Sequence, residues 1–242
     1  MVSKNITSPI DCACVIHGDV YSWDYVDRLY SMLTRNFTHP VRLHVYTEKD
    51  RTVPEPYIKH ELTDWRISGP KKAWWYKIQL FNKEHHQGPL LYFDLDTVIV
   101  NNIDWIYREQ LDHFWTVRDF KHLWNSRDFS VNSSIMYFDT TRFTYVWDDF
   151  ISREFKRTQA SYRGDQNYIT DIIRTERRRY FDQERVKSWR WECLDGGYDF
   201  TKKRHVNPGA GTAILPQTSV LIFHGNPKPK DVKDPIIIKH WQ

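Results

Sequence analysis

Few folds accommodate LLYFDLDTVIV, the stretch from Leu90 to Val100. Four apolar or aromatic residues lead into Asp94, Leu95 and Asp96, and the chain is apolar again through Val98, Ile99 and Val100. A near-continuous apolar run of this kind marks a strand covered on both faces, as in the centre of a parallel sheet. Burying an unpaired carboxylate there costs several kcal/mol. The two aspartates therefore stand at the mouth of a cleft or are neutralised by a partner.

The rest of the pattern agrees with such a sheet. CACVI (Cys12–Ile16) reads as a short buried strand, and Val26, Leu29, Tyr30, Leu33 and Phe37 then mark one face of a helix. VRLHVYT (Val41–Thr47) alternates as a strand, which completes a β-α-β opening. A second helix fits Ala73–Glu84, with Trp74, Ile78 and Phe81 on one face and Gly88-Pro89 beyond it. Further strands fit Leu90–Phe93, Phe114–Val117, Ser134–Phe138 and Val220–Phe223, and helices fit Thr141–Lys156 and Gln166–Arg179. The expected class is α/β: a Rossmann-like, mostly parallel central sheet flanked by helices, in one domain over residues 1–242. No repeat, low-complexity tract or linker interrupts it.

Composition narrows the function. A formal net charge of +4 permits an anionic ligand without calling for nucleic acid. Aromatic residues make up 16%, and tryptophan faces can stack on sugars or bases as well as fill a core. Cys12, Cys14 and Cys193 have no zinc spacing and read as reduced thiols. No apolar run approaches the roughly 20 residues of a membrane span. With no signal-peptide layout, the expectation is a cytoplasmic protein whose sequons at Asn5, Asn36 and Asn132 go unused.

In an extended segment Asp94 and Asp96 would share a face. Two such carboxylates repel unless a cation lies between them, and hard oxygen ligands suit Mn²⁺ or Mg²⁺. The bland alternative is a solvated loop or helix cap. In SVLIFHGNPKPK, His224 ends another apolar strand, Gly225 permits a sharp turn, and Lys228 sits between prolines. An imidazole can complete a manganese site, and a lysine can meet phosphate as a point charge. RGDQNYI (Arg163–Ile169) opens a helix, and its Asp165 is a natural N-cap or, together with Gln166, a polar reader of sugar hydroxyls. Asn132, Ser133 and Ser134, just before an apolar strand, are either a turn or a reader of sugar hydroxyls, and Lys77 is either a solvated lysine or a phosphate or acceptor contact. NPGAGT (207–212) follows no clear strand and does not announce a dinucleotide site. The basic run RTERRRY (174–180) reads as a solvated helix face that could meet an anionic acceptor or a lipid surface, so peripheral membrane contact stays open.

Taken in order, YFDLDTVIV, NSSIMYFD, GDQNYI and FHGNPKP resemble nucleotide-sugar glycosyltransferases of the GT-A fold, closest to the retaining, glycogenin-like group and its bacterial and phage relatives. VIHGDVYSWDYVDRLYSMLTRN and WWYKIQLF fit the same pattern, so the likeness spans nearly the whole chain. The resemblance implies that Asp94, Asp96 and His224 ligate Mn²⁺, which holds the donor diphosphate. It implies that Lys228 contacts the diphosphate with Lys77 nearby, and that Tyr21 stacks on the base. Asn132, Ser133, Asp165 and Gln166 would line the donor-sugar pocket. The donor would be a UDP-sugar, the acceptor a glycan or other hydroxyl compound, and the outcome retention. One departure stands out: the family pattern H-x-x-G-x-x-K-P is shortened here to H-G-x-P-K-P.

Two other classes share these residues. LLYFDLDTVIV also resembles the first motif of haloacid-dehalogenase-like phosphatases, with Asp94 as nucleophile and Asp96 as general acid. That motif normally opens its fold, whereas a full β-α-β unit precedes it here. A non-catalytic carbohydrate-binding protein with a structural metal would need neither Lys228 nor a diphosphate site.

Overall fold

A computed structural model describes residues 8–67, 70–193, 198–199, 201, 204–205, 214 and 216–242. The NPGAGT segment lies outside these residues.

The opening β-α-β unit is β1 (Ile10–Val15), α1 (Asp24–Asn36) and β2 (Val41–Thr47), followed by β3 (Ile58–Glu61). After a 3-10 helix over Pro70–Phe81 come β4 (Pro89–Phe93), β5 (Thr97–Ile99), β6 (Phe114–Arg118) and β7 (Val131–Asp139). Helices α2 (Thr140–Phe143), α3 (Tyr145–Ser152), α4 (Phe155–Ser161) and α5 (Asp165–Ile172) form the next block. The chain continues through β8 (Arg178–Tyr180), β9 (Val186–Ser188), β10 (Tyr198–Asp199), β11 (Arg204–His205), β12 (Val220–Ile222) and α6 (Pro235–His240).

Seven strands make the main sheet in the order β3-β2-β1-β4-β7-β6-β8. Every neighbouring pair is parallel except those made by β7, which runs against both β4 and β6. Its central strands are covered on both faces. Cys12, Cys14, Leu91 and Phe93 point into one apolar cluster with Leu29 and Leu33 of α1, while Ala13, Leu90 and Tyr92 point into a second with Trp75, Ile78 and Tyr168. This alternation accounts for the unbroken apolar runs. Most of the aromatic content is spent here: Trp65, for instance, stacks on Tyr76 at 5.5 Å. A smaller sheet, β5-β12-β9, brings the C-terminal segment back beside the end of β4.

Several boundaries depart from the periodicity. The segment expected as a helix over Ala73–Glu84 winds as a 3-10 helix that stops at Phe81. Three residues per turn put Trp74 and Lys77 in one row, because side chains three apart eclipse. The helix expected over Thr141–Lys156 is broken into α2, α3 and the start of α4. The one expected over Gln166–Arg179 ends at Ile172; Arg178–Tyr180 instead forms β8 on the sheet edge beside β6. Arg178 is therefore buried, with its guanidinium donating to the Phe129 carbonyl and Thr175 Oγ1, and is no part of a solvated helix face. Among the described residues no helix is long and apolar enough to cross a membrane.

Candidate active site

The carboxyl ends of β1, β4 and β12 open on a cavity of about 720 Å³. Tyr21, Lys77, Asp94, Asp96, Asn132, Gln166, His224 and Lys228 all line it. Six separate stretches of sequence thus meet where an open α/β sheet ordinarily holds its ligand.

The two aspartates are not in an extended segment. Residues 94–96 make a tight turn from β4 into β5, closed by the Thr97 amide donating to the Asp94 carbonyl at 3.1 Å. Each carboxylate has its own lysine. Asp94 Oδ1 lies 2.7 Å from Lys77 Nζ and accepts from the Tyr92 hydroxyl at 2.6 Å. Asp96 Oδ2 pairs with Lys228 Nζ and accepts from the Tyr21 hydroxyl at 2.9 Å. Burial, followed by the neighbouring Asp94 charge, raises the Asp96 carboxyl above its ordinary range despite Lys228.

Lys77 is itself buried, and burial works against its charge; the Asp94 and Asp165 carboxylates outweigh this and raise its pKa. Asp165 is 3% exposed and does not line the cavity. Its Oδ2 sits 3.8 Å from Lys77 Nζ and accepts from Ser133 Oγ at 2.6 Å, and Lys77 Nζ also reaches Ser133 Oγ at 3.2 Å. Asp165 and Ser133 thus lie behind the wall and hold Lys77, where the sequence placed them on the wall itself. Burial raises the Asp165 carboxyl. Gln166 Oε1 accepts from the Ser133 amide at 3.1 Å, and no hydrogen bond among the described residues falls on its Nε2. Asn132 Oδ1 accepts from the Ser134 amide at 3.0 Å, fixing its orientation in β7.

His224 is held elsewhere. Its Nε2 lies 2.6 Å from Ser188 Oγ, and its ring packs against Phe120 and Trp191, with centroids at 5.4 Å and 4.0 Å. Burial, with Arg190 and Lys228 nearby, lowers its pKa to about 4, so the imidazole is neutral. Among the described residues, Asp94, Asp96 and His224 do not bring three ligand atoms within 4.8 Å of one another. The three-ligand metal site is not assembled in this structure, because lysines take the carboxylates and Ser188 takes the imidazole. The carboxylate pair does fit a hard dication. No hydrogen bond among the described residues falls on Asp94 Oδ2 or Asp96 Oδ1, so each keeps an oxygen to offer.

Sequence reasoning missed Trp74, a cavity wall that packs over Gly164, and His17, stacked on Tyr76 at 4.0 Å. Trp74 was legible only as one of a helical apolar face.

No protein-family model matches the chain, and no curated protein does. Solved structures do. An active-site mutant of LgtC superposes with a TM-score of 0.64 at 10% identity, over 95% of this chain and 93% of that one. The fold is GT-A. The glycosyltransferase GlyE of Streptococcus pneumoniae matches with a TM-score of 0.65 at 10% identity over 91% of this chain, which spans only 56% of GlyE's. Mouse xyloside xylosyltransferase 1 matches with a TM-score of 0.54 at 14% identity, over 90% of this chain and 98% of that one. LgtC itself is a galactosyltransferase, solved with donor and acceptor sugar analogues.

Proposed function

We propose that this chain is a glycosyltransferase that moves a sugar from a nucleoside diphosphate donor, UDP being the nucleotide, to a hydroxyl acceptor such as a glycan, with retention and with a divalent cation, Mn²⁺ or Mg²⁺. One observation carries the reading: Asp94 and Asp96, matched by Lys77 from the preceding helix and by Lys228 from the C-terminal segment, face one cavity at the carboxyl ends of a GT-A sheet.

The transfer breaks the bond between the sugar and the diphosphate oxygen, which leaves with the electron pair, and forms a bond to the acceptor oxygen, which loses its proton. Negative charge builds on the leaving diphosphate. Lys77 and Lys228 are fixed cations aimed at that charge. Asp94 and Asp96 would hold the cation through their remaining oxygens, and His224 would join them only by leaving Ser188. A bound dication would supply Lewis-acid charge at the diphosphate. Asp165 and Ser133 orient Lys77, while Gln166 and Asn132 present amides to the donor sugar. Tyr21 lines the nucleotide end.

Hydrolysis of nucleotide sugars in the presence of Mn²⁺, compared with hydrolysis of phosphomonoesters, tests the assignment. Turnover of a UDP-sugar with release of UDP is expected. Preference for phosphomonoesters would place the chain with the phosphatases, and sugar binding without any turnover would make it a carbohydrate-binding protein.

A further inference from the structure

A second cluster of chemistry-bearing side chains lies at the other end of the sheet. Asp11 is near the start of β1, His44 is in β2, and His86 is in the loop that leads into β4. These three elements are neighbours in the sheet order. One ligand atom from each residue lies within 4.8 Å of the other two. About 13 Å of strand separates Asp11 from Val15, the first cavity residue of β1, so the cluster is no part of the candidate active site.

We propose that Asp11, His44 and His86 form a binding site for a borderline transition-metal dication, with zinc as the best chemical match. Two imidazoles and one carboxylate are a donor set suited to zinc and poorly suited to magnesium or calcium, which take oxygen. The hydrogen bonds around the cluster arrange the lone pairs. His86 Nε2 lies 3.0 Å from the Pro89 carbonyl, which can only accept, so Nε2 carries the proton and Nδ1 the lone pair. His44 Nε2 lies 3.0 Å from Asp11 Oδ1, and His44 Nδ1 lies 2.8 Å from His60 Nε2. In the tautomer with the proton on Nε2, that proton occupies the place a metal would take.

Metal entry then requires a tautomer shift and no net proton loss. His44 moves its proton from Nε2 to Nδ1 and there donates to His60 Nε2, while His60 moves its own proton from Nε2 to Nδ1, so that no proton is gained or lost. A ligating histidine ordinarily makes such a bond to an outer acceptor, which fixes its ring. His60 is placed to accept, with its Nε2 2.8 Å from His44 Nδ1. Arg42 forks onto Asp11 at 2.6 and 2.8 Å, and keeping its bond to Oδ2 leaves Oδ1 for the metal. Zinc bonds of about 2.0–2.1 Å put the ligand atoms of a tetrahedral site roughly 3.3 Å apart, and His44 Nε2 and Asp11 Oδ1 already lie 3.0 Å from one another. A bound ion would clip β1, β2 and the entry to β4 together at the end opposite the cavity.

The full-length chain, stripped with chelator and titrated with zinc chloride by calorimetry, tests this. One tight equivalent is expected, with a raised Tm, and cobalt in its place should give the strong visible absorption of a four-coordinate site. His86→Ala, in a loop, should fold normally by circular dichroism and weaken zinc by more than the roughly tenfold to hundredfold that loss of an outer partner costs. Asp96→Asn should keep the tight equivalent. Unchanged zinc affinity in His86→Ala, or loss of the tight equivalent in Asp96→Asn, overturns the proposal. The outcome is independent of the glycosyltransferase reading, since neither calorimetry nor cobalt absorption depends on turnover.

Discussion

Asp96 and Lys77 do different work although both sit at the cavity. Asp96 lines the cavity and, among the described residues, its charge is matched by Lys228, with the Tyr21 hydroxyl donating to it. Asp96→Asn keeps the volume and removes the ligand charge. Metal-dependent turnover is expected to vanish while the circular dichroism spectrum stays that of the wild type; wild-type rates in this variant would remove the metal from the turn after β4. Lys77 instead compensates two carboxylates, Asp94 and the buried Asp165. Removing one partner of a buried ion pair typically costs about 3–5 kcal/mol, because the other charge stays desolvated. Lys77→Ala should therefore lower the urea midpoint as well as activity, and a variant of unchanged stability would show that Asp165 does not depend on Lys77.

At the scale of elements, the loop between β1 and α1 carries Tyr21 to the cavity, and Glu48 at the end of β2 holds that loop. Its carboxylate accepts from the Gly18 amide, from Thr47 Oγ1 at 2.7 Å and from Arg51 Nε at 2.9 Å. Burial opposes ionisation of Glu48, but these hydrogen bonds, that of Arg51 first, lower its pKa to about 2. A folded pKa below the unfolded value means stability that is present above pH 4.5 and lost as pH falls toward 2. Solvent screening of this part-exposed carboxylate holds the contribution below the roughly 3 kcal/mol that the full shift would correspond to. Glu48→Gln should lose most of this at pH 7 and flatten the acid limb of the stability curve; parallel wild-type and variant profiles would contradict it. Gly164, just before α5, offers a different test. Its backbone is extended, so alanine is not strained there, but a Cβ would lie 2.9 Å from Trp74 Nε1. Trp74 is partly exposed and can yield. Gly164→Ala should leave Tm nearly unchanged while shifting the indole into the cavity and weakening UDP in calorimetry. Unchanged UDP affinity would take Trp74 off the donor path.

For the whole molecule, the decisive quantity is coupling between nucleotide and cation. An ion that bridges the aspartates and a diphosphate should tighten UDP, and UDP must tighten the ion by the same factor. Calorimetry of UDP with Mn²⁺ and in chelator measures this directly, and equal affinities would refute bridging. The segment after β12 should respond as well. Gly225 turns with φ of 73°, a conformation glycine adopts without strain, and it places Lys228 over Asp96. Addition of UDP and Mn²⁺ together should protect this segment from proteolysis more than either does alone.

The central strands could be read in advance because Cys12–Ile16 and Leu90–Phe93 are short apolar runs, Val41–Thr47 alternates, and both patterns are local properties of the sequence. The strand ends, and so Asp94, Asp96 and His224 as candidate residues, followed from the same runs. Asp94 and Asp96 were expected to share a face by alternation, yet a turn brings them to the cavity, and turn geometry depends on β5 finding β12 over 120 residues later. The antiparallel direction of β7, the pairing of β8 with β6, and the burial of Arg178 likewise rest on long-range pairing that no window of sequence contains. The partners of the charges were hidden for the same reason. Local sequence placed acids and lysines in separate stretches; only folding set Lys77 against Asp94 and Asp165, Lys228 against Asp96, and His224 against Ser188, since the energy of a buried charge is decided by whichever group the tertiary structure brings within a few ångströms.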